Sequence, residues 1–188
     1  MNPYEALGLA AKLDLDLGDL ERVTREASLV CHPDSGGDEV AFQRVRQAGG
    51  VLKEPFSRLK AALEISGVSY EVRGGVPGEV MDYFSPVAGI LKKVDDFTNE
   101  RRRALSGLGK AVLDVRIPGL KMELEGLIQK LGALEEGMIA RFPDFDACGW
   151  DQCGEEMAEV FRGLIFVSKW LGQLRESNGK IFEALLGG

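Results

Sequence analysis

The single histidine of the chain, His32, stands in His32-Pro33-Asp34, directly before Ser35-Gly36-Gly37. An imidazole and a carboxylate so close together offer a donor and an acceptor, and Pro33 stiffens the backbone between them. Catalysis would need a nucleophile, a base and an orienting group converging in a pocket. No acidic pair at metal spacing accompanies the histidine. The Gly-Gly pairs precede no Lys-Ser/Thr in a strand–loop–helix context, so a phosphate loop is not expected either. The three cysteines, Cys31, Cys148 and Cys153, lack the paired spacing of a zinc site. Reduced thiols are expected, with Cys148 and Cys153 at most a weak redox or metal pair. The residues point to a binding module rather than an enzyme, with no catalytic residues, cofactor or metal.

The surroundings of the tripeptide place it at a helical tip. Asp16 caps a helix expected from about Leu17 to Cys31, with Leu20, Val23, Ala27 and Val30 on one face and Arg22, Arg25 and Ser28 away from it. The residue before a proline is pushed out of the α region, so that helix must stop at His32. Asp38 caps the next helix, whose apolar stripe is Phe42, Val45, Ala48 and Leu52. Two helices joined by a tight turn pack antiparallel, which leaves His32-Pro33-Asp34 at the tip of a hairpin with few internal contacts. A short helix with Pro3 in its first turn precedes the pair, and another from Phe56 to Ile65, ending at Gly67, follows it.

This segment resembles the J domain of DnaJ-type co-chaperones. Tyr4-Glu5-Ala6-Leu7-Gly8-Leu9 opens it, the helix ending in His32-Pro33-Asp34 follows, and Phe42 with Gln47-Ala48 to Leu52-Lys53-Glu54-Pro55 closes it. The longer spacer Ala11-Lys12-Leu13-Asp14-Leu15-Asp16 and the run Pro55-Phe56-Ser57-Arg58-Leu59 look like the HscB-type subfamily of iron–sulfur cluster biogenesis. The resemblance implies that His32, Pro33 and Asp34 engage a DnaK/HscA-type ATPase and stimulate ATP hydrolysis, with Arg22 and Arg25 as the remaining steering cations. Cys31 stands where the family usually has an aromatic, as a small half-buried hydrophobe. Gly49-Gly50 replaces part of an aromatic pair, and each interior glycine costs roughly 0.5–1 kcal/mol relative to alanine, which predicts a loose helix end.

Beyond Gly67 the run Val68 to Gly78 is rich in glycine and proline and reads as a linker. Ser85-Pro86 is expected to open a long helix with Val87, Ile90, Leu91, Val94, Phe97, Leu105, Leu108 and Val112 on one stripe. Arg101-Arg102-Arg103 on that helix reads as a solvated face. After Ile117-Pro118-Gly119, Leu120, Leu124, Leu127, Leu131, Leu134, Met138 and Phe142 repeat as a bundle seam. A last helix begins near Trp150-Asp151, with Met157, Phe161, Leu164, Ser168, Leu171, Leu174, Ile181 and Leu185 on one face. The expected fold is all-α: a J-domain helical hairpin in 1–67, a linker and start of the bundle in 68–84, and a C-terminal three-helix bundle in 85–188.

The closing helix, with Trp150-Asp151, Val160 to Phe166, Leu171 to Arg175 and Leu185-Leu186, extends the resemblance to HscB-type proteins. The bundle is where that family binds the scaffold protein on which clusters are built. The corresponding surface here would be Met81, Phe84, Val87 and Leu91, residues that spacing alone assigns equally well to a bundle core. The implied client is the iron–sulfur scaffold; the alternative is a J-domain adaptor with a different client or none.

Composition sets the outer bounds. Of the 188 residues 45% are hydrophobic and 28% charged, enough for a real core under a solvated surface. A formal net charge of −7 argues against general nucleic-acid binding, which rests on neutralising phosphates. No run approaches the ~20 apolar residues of a spanning helix, and Met1 to Glu5 carries neither the basic nor the apolar part of a signal peptide. A cytoplasmic location, with no membrane or nucleic-acid partner, is the expectation.

Overall fold

In a computed structural model, residues 2–70 and 75–186 are described; Gly74, part of the expected linker, falls in 71–74, outside the described residues. Among the described residues the chain is helical throughout: α1 Pro3–Leu7, α2 Leu17–Val30, α3 Glu39–Lys53, α4 Pro55–Ser66, α5 Gly78–Met81, α6 Phe84–Arg103, α7 Gly107–Asp114, α8 Ile117–Ile139, α9 Phe142–Cys148 and α10 Gly154–Leu186, with a 3-10 turn at Pro33–Ser35. The all-α fold expected from the periodicity is the fold observed. Two compact units form, Met1–Gly75 with Met138–Arg162, and Val76–Gly137 with Gly163–Gly188.

In the first unit the N-caps fall where the acidic side chains dictate. Asp16 accepts from the Asp19 N–H at 2.9 Å, and Asp38 accepts from Val40 and Ala41. Tyr4, Leu7, Leu20, Val45, Ala48 and Leu52 make the core on which α1, α2 and α3 pack, with Val23, Ala27 and Cys31 along its edge. Val30, expected on this stripe, is exposed instead; Cys31, one residue on, takes the inward position.

The two glycines of α3 behave differently from the expected loosening. The helix runs unbroken to Lys53. A Cβ on Gly49 would stand 2.5 Å from Thr24 Cγ2, whereas one on Gly50 would meet nothing within 4 Å. Gly49 thus marks a close approach of α3 to Thr24 of α2, and its cost in helix propensity is offset by that packing.

The segment 138–162, expected in the bundle, belongs to this first unit. Asp146 of α9 accepts the N–H groups of Leu13 and Asp14 at 2.9 and 2.8 Å and the indole N–H of Trp150 at 2.9 Å. Trp150 in turn lies against Tyr4, ring centroids 6.1 Å apart. Arg58 is buried, donates to the Leu52 carbonyl at 3.0 Å and lies over the Phe142 ring. Phe161, near the start of α10, stacks on Phe56 at 4.8 Å. Tyr70, in the expected linker, packs on the same unit: it donates to Glu64 at 2.8 Å and meets Phe161 edge-on.

The second unit has a core of Val87, Ile90, Val94, Phe97, Leu120, Leu124, Leu127, Leu131, Leu164, Val167, Leu171, Leu174 and Ile181. Lys93 pairs with Glu123 at 2.6 Å and Arg116 with Glu100, so α6 and α8 run antiparallel. Phe84 meets Trp170 and Lys180 meets Asp95, so α6 and the distal part of α10 run parallel. The expected three-helix arrangement is present, with three local differences. The first helix begins at Phe84, with Ser85 and Pro86 inside its first turn rather than at the cap and the first helical position. It stops at Arg103, because Ser106 opens the separate α7 by accepting the Gly109 N–H at 3.0 Å. Finally, Arg101 is not a solvated side chain: it is buried, pairs with Asp114 at 2.7 Å and donates to the Ala184 carbonyl.

Candidate functional site

Pro33 forces the chain out of the helix, and His32 takes an extended backbone at φ −66°, ψ 131°. A 3-10 turn follows, in which Ser35 and Gly37 both donate to the His32 carbonyl at 3.0 Å and Gly36 donates to the Pro33 carbonyl at 2.9 Å. Gly36 has φ 80°, the left-handed region that favours glycine. Gly37 is required for a different reason: a Cβ there would lie 2.4 Å from the carbonyl of Cys31. The Gly-Gly pair, expected as a flexible turn, folds the loop back onto the end of α2.

The side chains are held in the same way. His32 Nδ1 accepts the Asp34 N–H at 3.2 Å, and its ring lies edge-on to Phe42, centroids 4.9 Å apart. With Nδ1 accepting, a neutral imidazole carries its proton on Nε2, which remains a donor. The Asp34 side chain is 91% exposed, and among the described residues its carboxylate has no ion-pair partner beyond the His32 ring, whose Nδ1 lies 3.7 Å away. The loop therefore displays one acceptor and one donor on a backbone with few remaining degrees of freedom. Its internal contacts are more numerous than the sequence suggested.

The two expected cations differ. Arg22 is bracketed by Asp19 and Glu26, both at 3.3 Å, and those hydrogen bonds raise its pKa above the ordinary value. Its charge is largely matched on its own helix. Arg25 is exposed and has no ion pair among the described residues. It shares a cavity of about 350 Å³ between α2 and α3 with Thr24, Ser28, Phe42, Arg46 and Gly49. Arg46 lies over the Phe42 ring at 5.8 Å. Sequence reasoning missed Arg46, although its position one helical turn after Phe42 places both on one side of α3. Across the same helix pair Lys53 binds Glu21 at 2.8 Å, which holds the Glu21 carboxyl below the usual range.

The four residues expected to face a client do not form one surface. Met81 is exposed at the end of α5. Phe84 is partly exposed, its ring against Phe166 and Trp170 at 5.2 and 4.7 Å. Leu91 is half-buried. Val87 is 2% exposed and belongs to the core, because its place on the α6 stripe matches Ile90 and Val94. Cys153 is buried, with its thiol on the Gly149 carbonyl at 3.2 Å, and Cys148 is exposed.

No protein-family model matches the chain. Over 55 residues it is 40% identical to a DnaJ protein homolog of Cucumis sativus, covering 29% of this chain and 13% of that protein. The chain thus spans about an eighth of the length of that curated relative. Among solved structures it is similar to the chaperone HscB from Vibrio cholerae, with a TM-score of 0.61 and 18% identity over 96% of this chain and 99% of that one. The fold is that of HscB, and the resemblance to HscB-type J-domain proteins holds at that level. Among the described residues no helix is long and apolar enough to cross a membrane.

Proposed function

We propose that the chain is a J-domain co-chaperone, which binds a DnaK/HscA-type ATPase through His32, Pro33 and Asp34, raises its rate of ATP hydrolysis and delivers a client to it. The observation that carries this reading is the exposed Asp34 carboxylate on a loop fixed by His32, Gly37 and Phe42, within a fold shared with HscB.

The chain acts here by presentation. A rigid loop loses little conformational entropy when it docks, so more of the contact energy appears as affinity. Asp34 supplies an acceptor for a cationic or N–H group of the ATPase, and His32 Nε2 supplies a donor. Arg25 and Arg46 give the α2–α3 face a positive edge, which steers an acidic chaperone surface toward the loop. Arg22, matched by Asp19 and Glu26, contributes less to that steering. Hydrolysis itself belongs to the partner, and the chain needs no cofactor for this role. We place the activity in the cytoplasm.

The proposed client is the iron–sulfur scaffold protein, met by the exposed part of the 81–91 surface, Met81 and Phe84. A J-domain adaptor with another client is the second reading, favoured by the burial of Val87. Single-turnover ATP hydrolysis by the paired chaperone, with this protein alone and then with the scaffold added, tests both. Stimulation that rises further with the scaffold supports the first client; stimulation indifferent to it supports the second.

A further inference from the structure

A second set of strongly exposed apolar side chains in the second unit lies elsewhere. Leu105 is 101% exposed, and Leu108, Val112 and Val115 are 78, 64 and 79% exposed. The spacing of four and three residues puts Leu108, Val112 and Val115 along one face of α7 and its C-cap, with Leu105 exposed on the non-helical approach to it. No residue of α7 is fully buried, and its half-buried positions are Gly109, Lys110, Leu113 and Asp114. The helix is thus turned over: its aliphatic face meets solvent while a lysine and an aspartate lie toward the body. An isolated exposed leucine needs no explanation, but three exposed aliphatic residues on one helical face, with Leu105 close before them in the chain, are the kind of patch that marks an interaction surface.

The charges around the patch are unbalanced. Asp114 is taken by Arg101 and Glu100 by Arg116. Arg102 and Arg103, which end α6 just before Leu105, are exposed and have no ion pair among the described residues. Aliphatic side chains beside two unmatched arginines suit an occupant that is apolar and acidic. A second copy of this chain does not fit, because a two-fold contact would set the same arginines against each other. An anionic bilayer would face the whole flank of a protein whose net charge is −7, whereas a polypeptide meets only the patch.

We propose that Leu105, Leu108, Val112 and Val115, flanked by Arg102 and Arg103, dock an acidic client segment that carries aliphatic residues. The proposal deepens the co-chaperone reading by adding a client-docking surface separate from Met81 and Phe84; it rests on that reading only in calling the bound segment a client.

The full-length chain is used to select binders from a displayed random-peptide library, and the selected peptides are measured by fluorescence anisotropy. The expected peptides are rich in Leu, Ile or Val with Asp or Glu beside them. Their affinity falls at least about tenfold for Leu108→Ser/Val112→Ser, and Arg102→Glu/Arg103→Glu weakens them while flattening the salt dependence. Because all four positions are exposed, circular dichroism of both variants should match the parent. Stimulation of the ATPase in the absence of client is measured in parallel and should be unchanged by Leu108→Ser/Val112→Ser. Its absence in the parent protein would remove the co-chaperone reading and leave the docking result standing. Selected peptides without acidic residues, peptides that bind Leu108→Ser/Val112→Ser as tightly as the parent, or binding to phosphatidylserine vesicles through Leu108 in place of peptides would each overturn the proposal.

Discussion

His32 Nδ1 accepts the Asp34 N–H at 3.2 Å, so one of the two side chains that the loop displays also fixes the backbone of the other. The two residues are therefore not equivalent under mutation. His32→Gln removes a cap and an aromatic contact, and its expected cost is about 0.5–1 kcal/mol of stability together with loss of ATPase stimulation. Asp34→Asn keeps the shape and the backbone, and its stability should stay within about 0.5 kcal/mol of the parent. Urea unfolding of the two variants beside the parent separates the structural part of the loop from its recognition part. Equal destabilisation by both would contradict the assignment.

The α2–α3 contact gives two adjacent glycines opposite signs. At Gly50 an added methyl meets nothing within 4 Å, so Gly50→Ala should stabilise by roughly 0.5–1 kcal/mol through helix propensity. At Gly49 the same methyl runs into Thr24, and overpacking costs about 1–3 kcal/mol. Gly49→Ala is expected to destabilise, and Thr24→Ser in the same chain to recover much of the loss. Denaturant midpoints of the three variants check the order.

Asp146 is a long-range cap. Its carboxylate satisfies two backbone N–H groups of the α1–α2 connection and the Trp150 indole, and hydrogen bonds to a charged group contribute about 1.5–3 kcal/mol each. Asp146→Ala should cost at least about 2 kcal/mol and expose Leu13 and Asp14 amides to hydrogen exchange. Asp144→Ala, at an exposed position on the same helix, should change stability by no more than about 0.5 kcal/mol. Exchange at Leu13 unchanged by Asp146→Ala would contradict the role given to this carboxylate.

Burial, with Cys148 beside it, pushes the Cys153 thiol up to about 11. The folded chain therefore keeps a proton that the unfolded chain releases near the ordinary thiol value of about 8.5. Stability is unaffected below that value and falls as the pH rises from there toward the folded value. Since the thiolate is the nucleophile, native alkylation should label exposed Cys148 well before Cys153, and denaturant should abolish the difference. Mass spectrometry of iodoacetamide-treated protein reads the order; Cys153 reacting first would refute it.

Much of the hairpin was legible in the chain because short-range rules decide it. Pro33 dictates where α2 stops, and Asp16 and Asp38 cap within three residues of themselves. What was not legible depends on partners distant in sequence. Asp146 carries no local mark, since the amides it satisfies lie 133 and 132 residues away. Gly49 reads as a weak helix position until Thr24 of α2 is seen against it. Arg101 reads as one of three solvated arginines until Asp114 and the Ala184 carbonyl enclose it. The stripe through Leu105, Leu108 and Val112 keeps a helical period that favours a continuous buried face, but Ser106 restarts the helix and turns those residues outward. At the site itself, residue identity gave His32, Pro33 and Asp34; the contribution of Gly37, Phe42 and Arg46 required coordinates.

The measurement that bears most directly on the proposed function is single-turnover ATP hydrolysis by a DnaK/HscA-type chaperone with the parent protein and with Asp34→Asn. The loop geometry predicts a clear rise in rate with the parent and none with Asp34→Asn, at equal stability of the two proteins. A rise that survives Asp34→Asn, or no rise with the parent, would contradict the reading of His32-Pro33-Asp34 as the element that engages an ATPase.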